Sequence, residues 1–372
     1  MTNEIIPIVM PKWGLSMKEG RLNDWLVSEG TRIEVGMPIL DVETDKLAND
    51  VEATDAGLLR RIVVQAGEVR PVKALLGVMA EPTVTDEAID AYVAAYQLPA
   101  DESEGDEAGA QFQTQLVDGI PIRYQQLGEG DRTVLLIHGF GGDLNSWLFN
   151  LDELARDHRV IAVDLPGHGG SGIALPDAPD VPGLAAFMLR FLDEIGIERT
   201  SILAHSMGGA IGAQMALLAP QRIDKLALVS PCGLAAGINM AFIDGFIDAP
   251  SRRAMKPVLA LLLVRPDQVT RAMVDDVLRY KRLDGVTVVL GALRDHVFPD
   301  GRQVALPVRK IDTARHPLMI LWGEADQVIE PAQRTSAPTG AEVHLIEEAG
   351  HMCHMDQSSR VNALLSAFFS TG

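Results

Sequence analysis

Thr200-Ser201-Ile202-Leu203-Ala204-His205-Ser206-Met207-Gly208-Gly209 is a short apolar run that ends in a serine set among small residues. A serine hydroxyl can attack a carbonyl only when it stands clear of its own backbone, and a tight strand-to-helix turn with small neighbours provides that. Gly208 and Gly209 meet the demand. Ala204 stands where the G-x-S-x-G pattern has its first glycine, a departure of one methyl group. Taken alone, the pentapeptide is equally a small-residue turn without chemistry. What flanks it decides the reading.

Downstream, the apolar run Pro317-Leu318-Met319-Ile320-Leu321 leads into Trp322-Gly323-Glu324-Ala325-Asp326, and Glu342-Val343-His344-Leu345-Ile346 leads into Ala349-Gly350-His351. An acid and a histidine therefore follow the serine, each just beyond a predicted strand, in the chain order that this elbow requires. Upstream, Thr133-Val134-Leu135-Leu136-Ile137 runs into His138-Gly139-Phe140-Gly141-Gly142, a glycine-rich loop able to aim a backbone N–H at an oxyanion. Strand candidates at 114–117, 133–137, 160–163, 201–204, 225–229, 317–321 and 342–346 alternate with helical runs such as 181–196 and 208–219. That alternation predicts a mostly parallel sheet covered on both faces.

On these motifs, with Asp164-Leu165-Pro166-Gly167-His168-Gly169-Gly170-Ser171 added, residues 115–372 resemble the α/β-hydrolase family. The resemblance implies a catalytic triad of Ser206, Asp326 and His351 with an oxyanion hole made by the N–H groups of Phe140 and Met207. It also implies a helical cap over about 231–313, where the strand pattern gives way to helix-like pieces rich in Met, Arg and Leu.

The first 80 residues read differently. Short alternating runs broken by glycine, such as Val27-Ser28-Glu29-Gly30-Thr31-Arg32-Ile33-Glu34-Val35-Gly36, predict several short strands. Two strand-like halves flank Thr44-Asp45-Lys46-Leu47, placing Lys46 at or beside a hairpin tip. With Glu43-Thr44-Asp45-Lys46 and with Gly30, Gly36, Gly57 and Gly67 at turn positions, residues 1–80 resemble the lipoyl domains of 2-oxo acid dehydrogenase-type complexes. The resemblance implies an all-β biotinyl/lipoyl-type fold and lipoate bound covalently to Lys46. Leu47 stands where alanine is usual in that family, and the Met-Lys context of biotinyl domains is absent.

Between the two, residues 81–114 form an acidic stretch. No Lys or Arg falls between Ala80 and Gln111, while nine Asp and Glu do, which predicts a solvated, flexible tether. Within it, residues 87–96 can form a short helix with Ile89, Val93 and Tyr96 on one face. The basic surface and Gly-Thr-Gly turn of a subunit-binding domain are not found there.

A formal charge of −19 excludes a phosphate-binding surface of the kind that nucleic acids or anionic membranes need. Two cysteines, Cys232 and Cys353, give no disulfide framework and favour a reducing compartment. Without a basic-then-apolar leader or an apolar run long enough to span a bilayer, a cytoplasmic protein is expected. His296-Val297-Phe298-Pro299-Asp300-Gly301 matches the His-x-x-x-Asp-Gly signature of another acyltransferase fold, but falls inside the predicted cap and is read as coincidence. His351-Met352-Cys353-His354 lacks metal-ligand spacing, so no metal is expected. His205 and His138 are read as packing or orienting residues.

The pairing of the two domains resembles the acyltransferase components of bacterial acetoin dehydrogenase complexes. That resemblance implies transfer of an acetyl group from lipoyl-Lys46 to coenzyme A. It also implies partnership with a thiamine-diphosphate-dependent acetoin dehydrogenase component and a dihydrolipoamide dehydrogenase, within a homo-oligomeric assembly. The competing readings are a serine hydrolase docked to a complex through its lipoyl domain, and a carrier with an inactive hydrolase domain.

Overall fold

The computed structural model describes residues 5–11, 19–43, 48–98 and 112–370. The chain divides into two compact units between Ala110 and Gln111. In the first, eight strands form two four-stranded antiparallel sheets: β1 (Ile5–Val9), β2 (Glu19–Trp25), β3 (Arg32–Ile33), β4 (Pro38–Glu43), β5 (Ala48–Glu52), β6 (Gly57–Ile62), β7 (Val69–Pro71) and β8 (Leu75–Ala80). One sheet has the order β1-β8-β6-β3 and the other β5-β4-β2-β7. Alternate residues point inward, so that Leu22, Ile33, Leu40, Leu59 and Leu76 are fully buried in a small shared core.

Gly30 and Gly36 take φ of 90° and 82°, the left-handed conformation that the predicted turns need. Gly57 differs: it opens β6 opposite Ile33, where an added Cβ would lie 3.0 Å from the Cβ of Met79, so close packing and not a turn accounts for it. The β4–β5 ladder ends at the pair Glu43↔Ala48. Thr44 to Leu47 lie outside the described residues, and Lys46 is among them.

The acidic stretch is not extended throughout. Its helix, α1 (Asp86–Ala95), is capped by Thr85, whose hydroxyl accepts from the Ala88 N–H. Ile89 is buried against Leu75, Val78 and Val84, and Asp86 and Asp90 pair with Arg60 and Arg61 of β6. The Tyr96 hydroxyl donates to the Lys73 carbonyl at 2.8 Å. Acidic residues that charge counting assigns to a solvated tether are here consumed by two arginines on the neighbouring strand. Residues 99–111 lie outside the described ones.

The second unit begins with the hairpin β9 (Gln113–Val117) and β10 (Ile120–Leu127), continues through β11 (Thr133–Ile137), α2 (Leu151–Ala155), β12 (Arg159–Val163) and α3 (Val181–Glu194), and reaches β13 (Thr200–His205) and α4 (Met207–Leu218). After β14 (Ile223–Val229) come four helices, α5 (Met240–Asp248), α6 (Arg252–Leu259), α7 (Arg271–Lys281) and α8 (Val286–Val297). The chain then returns to β15 (Leu318–Gly323), β16 (Glu342–Ile346), α9 (Cys353–Asp356) and α10 (Ser358–Ser370).

The eight strands have the order β16-β15-β14-β13-β11-β12-β10-β9, parallel from β16 to β12 and antiparallel at β10 and β9. Ile202, Leu203 and Ala204 are fully buried, as sheet layers covered on both faces require. Parallel register brings the C-terminal ends of β11, β13, β14 and β15 together, since Ile137 pairs with Ala204, His205 with Val229, and Val229 with Leu321. The end of β16 joins them, since Ile346 pairs with Gly323. Loops that leave these ends share one edge of the sheet, and Ser206, Asp326 and His351 follow β13, β15 and β16, respectively.

Candidate active site

Ser206 is the joint between β13 and α4, with φ of 53° and ψ of −119°. For a residue with a side chain this region costs on the order of 1–3 kcal/mol and persists only where the surroundings impose it. They do so here. The Ser206 N–H donates to the Val229 carbonyl at 3.0 Å, and its carbonyl accepts from the N–H groups of Gly209 and Cys232, each at 2.9 Å. A Cβ on Gly208 would lie 2.4 and 2.5 Å from the carbonyl oxygens of Ile137 and His138, and one on Gly139 would lie 2.9 Å from the Cβ of Ser206. The methyl of Ala204 is tolerated because Gly212 of α4 faces it: even a Cβ on Gly212 would stand 3.6 Å away.

Asp326 follows β15, and its carboxylate is saturated with donors. Oδ1 accepts from the N–H groups of Val328 and Ile329 at 2.8 and 3.0 Å, and Oδ2 accepts from Trp322 Nε1 at 3.1 Å and His351 Nδ1 at 2.9 Å. An ionised carboxylate only accepts, so the proton of His351 is fixed on Nδ1 and its Nε2 carries a free lone pair. That Nε2 is buried and has no hydrogen-bond partner among the described residues. It is not bonded to the Ser206 hydroxyl; contacts of this kind commonly tighten only in the Michaelis complex.

His205, one residue before the nucleophile, ties the two halves together. Its Nε2–H donates to the His351 carbonyl at 3.1 Å, and the rings lie 4.6 Å apart. Burial, with His351 and His354 close by, holds His205 well below the ordinary histidine range, so it stays neutral. Cys232 is hydrogen-bonded to Ser206 through its side chain, and burial pushes its thiol up to about 12, which keeps it an inert neighbour.

A second buried polar group shapes the loop after β11. His138 donates from Nδ1 to the Gly139 carbonyl at 2.7 Å and accepts the Leu165 N–H on Nε2 at 3.0 Å. His168 donates to the Pro166 carbonyl and accepts the Gly141 N–H at 3.1 Å. Burial lowers these imidazoles to about 4 and about 3, respectively. Asp164 accepts from the N–H groups of Leu144 and Gly170 and pairs with Arg123; burial, then Asp143, raises it to about 6 against the pull of Arg123. The Gly141 N–H is given to His168 and that of Gly142 to the Gly139 carbonyl, so the two amides that follow the Phe140 N–H are both committed. Met207 opens α4, where helix amides have no intrahelical acceptor, and the Ser206 side chain does not cap them.

The structure thus gathers Ser206, Met207, Phe140, Asp326 and His351 at one edge of the sheet. It leaves His296 apart, exposed near the C-terminus of α8 with Nδ1 bonded to the Ala292 carbonyl of its own helix. Among the described residues no cluster of His, Cys, Asp or Glu could hold a metal. Sequence reasoning missed the bond from Trp322 to Asp326, although their spacing across the Gly-Glu-Ala turn was visible. It also missed the neighbour Cys232, for which the sequence held no signal.

These two units define a lipoyl-type domain joined to a domain of α/β-hydrolase fold with a sharp strand-to-helix turn at Ser206. The α/β hydrolase fold family matches residues 132–358, and the family described as biotin-requiring enzyme matches residues 6–78. The dihydrolipoyllysine-residue acetyltransferase component of the acetoin cleaving system of Cupriavidus necator is 54% identical over 97% of this chain and 96% of its own length. Its counterpart in Pseudomonas putida is 42% identical over 98% of this chain and 99% of its own. Among solved structures, a meta-cleavage product hydrolase mutant shares the fold, with a TM-score of 0.62 at 23% identity over 69% of this chain and 97% of that one. The chain belongs to the family of dihydrolipoyllysine-residue acetyltransferase components of acetoin cleaving systems.

Proposed function

We propose that Ser206, His351 and Asp326 carry an acetyl group from a lipoyl thioester borne on Lys46 to the thiol of coenzyme A. The observation that carries the reading is the bare, buried Nε2 of His351, oriented by Asp326 and tied through His205 to a serine at a strained elbow. Lys46 lies outside the described residues, yet the strands that bracket it fit a prosthetic group. β4 and β5 pair up to Glu43↔Ala48 with Leu40 and Val42 fully buried, so the strands on either side of the attachment segment are anchored in the core. When bound there, lipoate supplies a mobile dithiol on which an acyl group travels as a thioester.

The Ser206 hydroxyl attacks the thioester carbon as His351 Nε2 takes its proton, while the N–H groups of Phe140 and Met207 receive the oxyanion. Collapse breaks the C–S bond, and the leaving thiolate takes the proton from His351. Coenzyme A then gives its thiol proton to His351 and attacks the acetyl-serine, and Ser206 leaves with that proton. The second half runs from an oxygen ester to a thioester, uphill, so water must be kept out. Ser206 and His351 are 6% and 1% exposed, so the reacting groups sit away from bulk water. The wider reading is a cytoplasmic multi-component assembly with a thiamine-diphosphate-dependent acetoin dehydrogenase component and a dihydrolipoamide dehydrogenase.

Rapid quench with labelled acetyl-dihydrolipoamide and no coenzyme A tests this. Label on Ser206 at a rate competent for turnover is expected. Transfer without any labelled enzyme would mean that His351 activates coenzyme A directly and Ser206 only stabilises charge. Rapid release of acetate would make the protein a hydrolase.

A further inference from the structure

Residues 231–313, within the segment between β14 and β15, have the opposite charge to the rest of the chain. It holds twelve of the 32 Lys and Arg and nine of the 51 Asp and Glu, a balance of +3 against −22 for everything else. Several of these cations are engaged. Arg252, Arg271, Arg279 and Arg294 are each held by an aspartate of the same segment, and Lys281 donates to the Ala249 carbonyl. Arg253 and Lys256, three residues apart on α6 and so on one side of it, are exposed and have no side-chain partner among the described residues.

The position of α6 gives these two a role. Shortly after α6 ends at Leu259, the Leu262 carbonyl accepts the Met352 N–H at 3.0 Å. A Cβ on Gly350 would touch that same carbonyl at 2.9 Å, so the chain leaving α6 is packed directly on the loop that carries His351. Lys256 precedes this contact by six residues, roughly 10 Å along a helical path. An acceptor whose thiol reaches His351 keeps its phosphates in water, and α6, which leads into this contact, carries the two exposed cations.

We infer that Arg253 and Lys256 form a docking site for the phosphate groups of the acyl acceptor, a nucleotide-linked thiol of the coenzyme A class. This rests on the acetyl transfer proposed above and adds to it the group that selects the acceptor. The acyl donor, an amide-linked dithiol, has no phosphate to offer. A polyanion approaching a chain of net −19 is repelled except where the surface is locally basic. The site therefore admits the acceptor by its phosphates and leaves the donor indifferent to them.

The test uses the full-length protein with free acetyl-dihydrolipoamide as donor and either coenzyme A or pantetheine as acceptor. Doubly reversing the site, R253E with K256E, should raise KM for coenzyme A on the order of ten-fold, leaving kcat and the KM for pantetheine unchanged. Adding salt should erase most of the preference of the unaltered protein for coenzyme A over pantetheine. R309E with K310E, which reverses two other exposed cations of the same segment, should change neither constant. An equal loss with both acceptors, no loss at all, or a loss confined to R309E with K310E would overturn the assignment. Calorimetric titration of coenzyme A into unacylated protein, altered and unaltered, reads the site without turnover. Release of acetate with no transfer would refute the proposed reaction, while that titration would still decide the phosphate site.

Discussion

Replacing Asp326 by Asn changes one atom of the site and tests the orientation argument directly. Oδ1 accepts two backbone N–H groups, from Val328 and Ile329, so the amide oxygen of asparagine is forced into that place. The amide nitrogen must then take the Oδ2 position, facing His351 Nδ1 and Trp322 Nε1–H. An N–H donor there can be met by His351 only if Nδ1 becomes the acceptor, which moves the ring proton to Nε2 and removes the base. The acetyl-transfer rate should fall by about 10⁴, or about 5.4 kcal/mol of transition-state stabilisation. The fold should lose less, about 1–3 kcal/mol, because Trp322 Nε1–H faces a donor on one side but keeps the Ile329 carbonyl at 3.1 Å on the other. The assay is single-turnover transfer from acetyl-dihydrolipoamide beside a melting curve. A variant that melts as expected yet transfers within ten-fold of the parent would show that Asp326 does not set the tautomer.

Stability should fall on acidification from pH 7 towards 4. Burial lowers His138 to about 4 and His168 and His354 to about 3, and His205 is also lowered, so below 6.5 the unfolded chain takes up protons that the folded one refuses. Asp164 and Asp356, raised to about 6 by burial, act the other way between 6 and 4, since there the folded chain is the one that binds protons. His316 is lowered by burial as well, so five histidines outweigh two carboxylates, giving a loss of at most about 4 kcal/mol per pH unit; a melting temperature that does not fall as the pH is lowered from 7 to 5 would contradict it. Gly208→Ala should destabilise the protein by about 1–3 kcal/mol and remove transfer, since its Cβ meets two backbone carbonyls that cannot swing aside; full activity would mean that the elbow tolerates a wider turn. Lys46→Arg should abolish turnover in the reconstituted complex and leave transfer from free acetyl-dihydrolipoamide intact, and intact mass should show the lipoyl increment on the parent only.

The sequence was most legible where one side chain or one period dictates the chemistry. Apolar runs ending in Ser206, before Asp326 and before His351 could only be parallel strands whose ends meet, and they do. The hairpin into β10 was missed even though Asp118-Gly119 is a turn signal; the pair takes φ of 47° and 81°, and β10 alternates buried and exposed residues around Pro121. A proline inside the run disguises a strand that lies one place from the sheet edge, where one unpaired backbone position is tolerated. In the acidic stretch, composition spoke for solvation, while Arg60 and Arg61, more than twenty residues upstream, were free to recruit Asp86 and Asp90. Charge counting within a window cannot see a partner on another strand.

The same limit explains why the supporting shell of the site was not readable. His205 holds the His351 carbonyl across 146 residues of chain, and the Asn150 side chain reaches the His354 carbonyl across 204. No local pattern encodes such contacts. What the sequence does encode is the need for them: a serine at positive φ, a carboxylate with four donors and an imidazole with one free nitrogen are each costly when buried. Their coexistence at one sheet edge requires neighbours that satisfy the polar atoms around them. The neutral histidines at 138 and 168 do much of this, because a neutral imidazole donates from one nitrogen and accepts on the other without bringing a charge near His351, and neutral His205 donates to the His351 carbonyl. Lysine or arginine in those places would donate without accepting, and would oppose protonation of the base when it takes the serine proton.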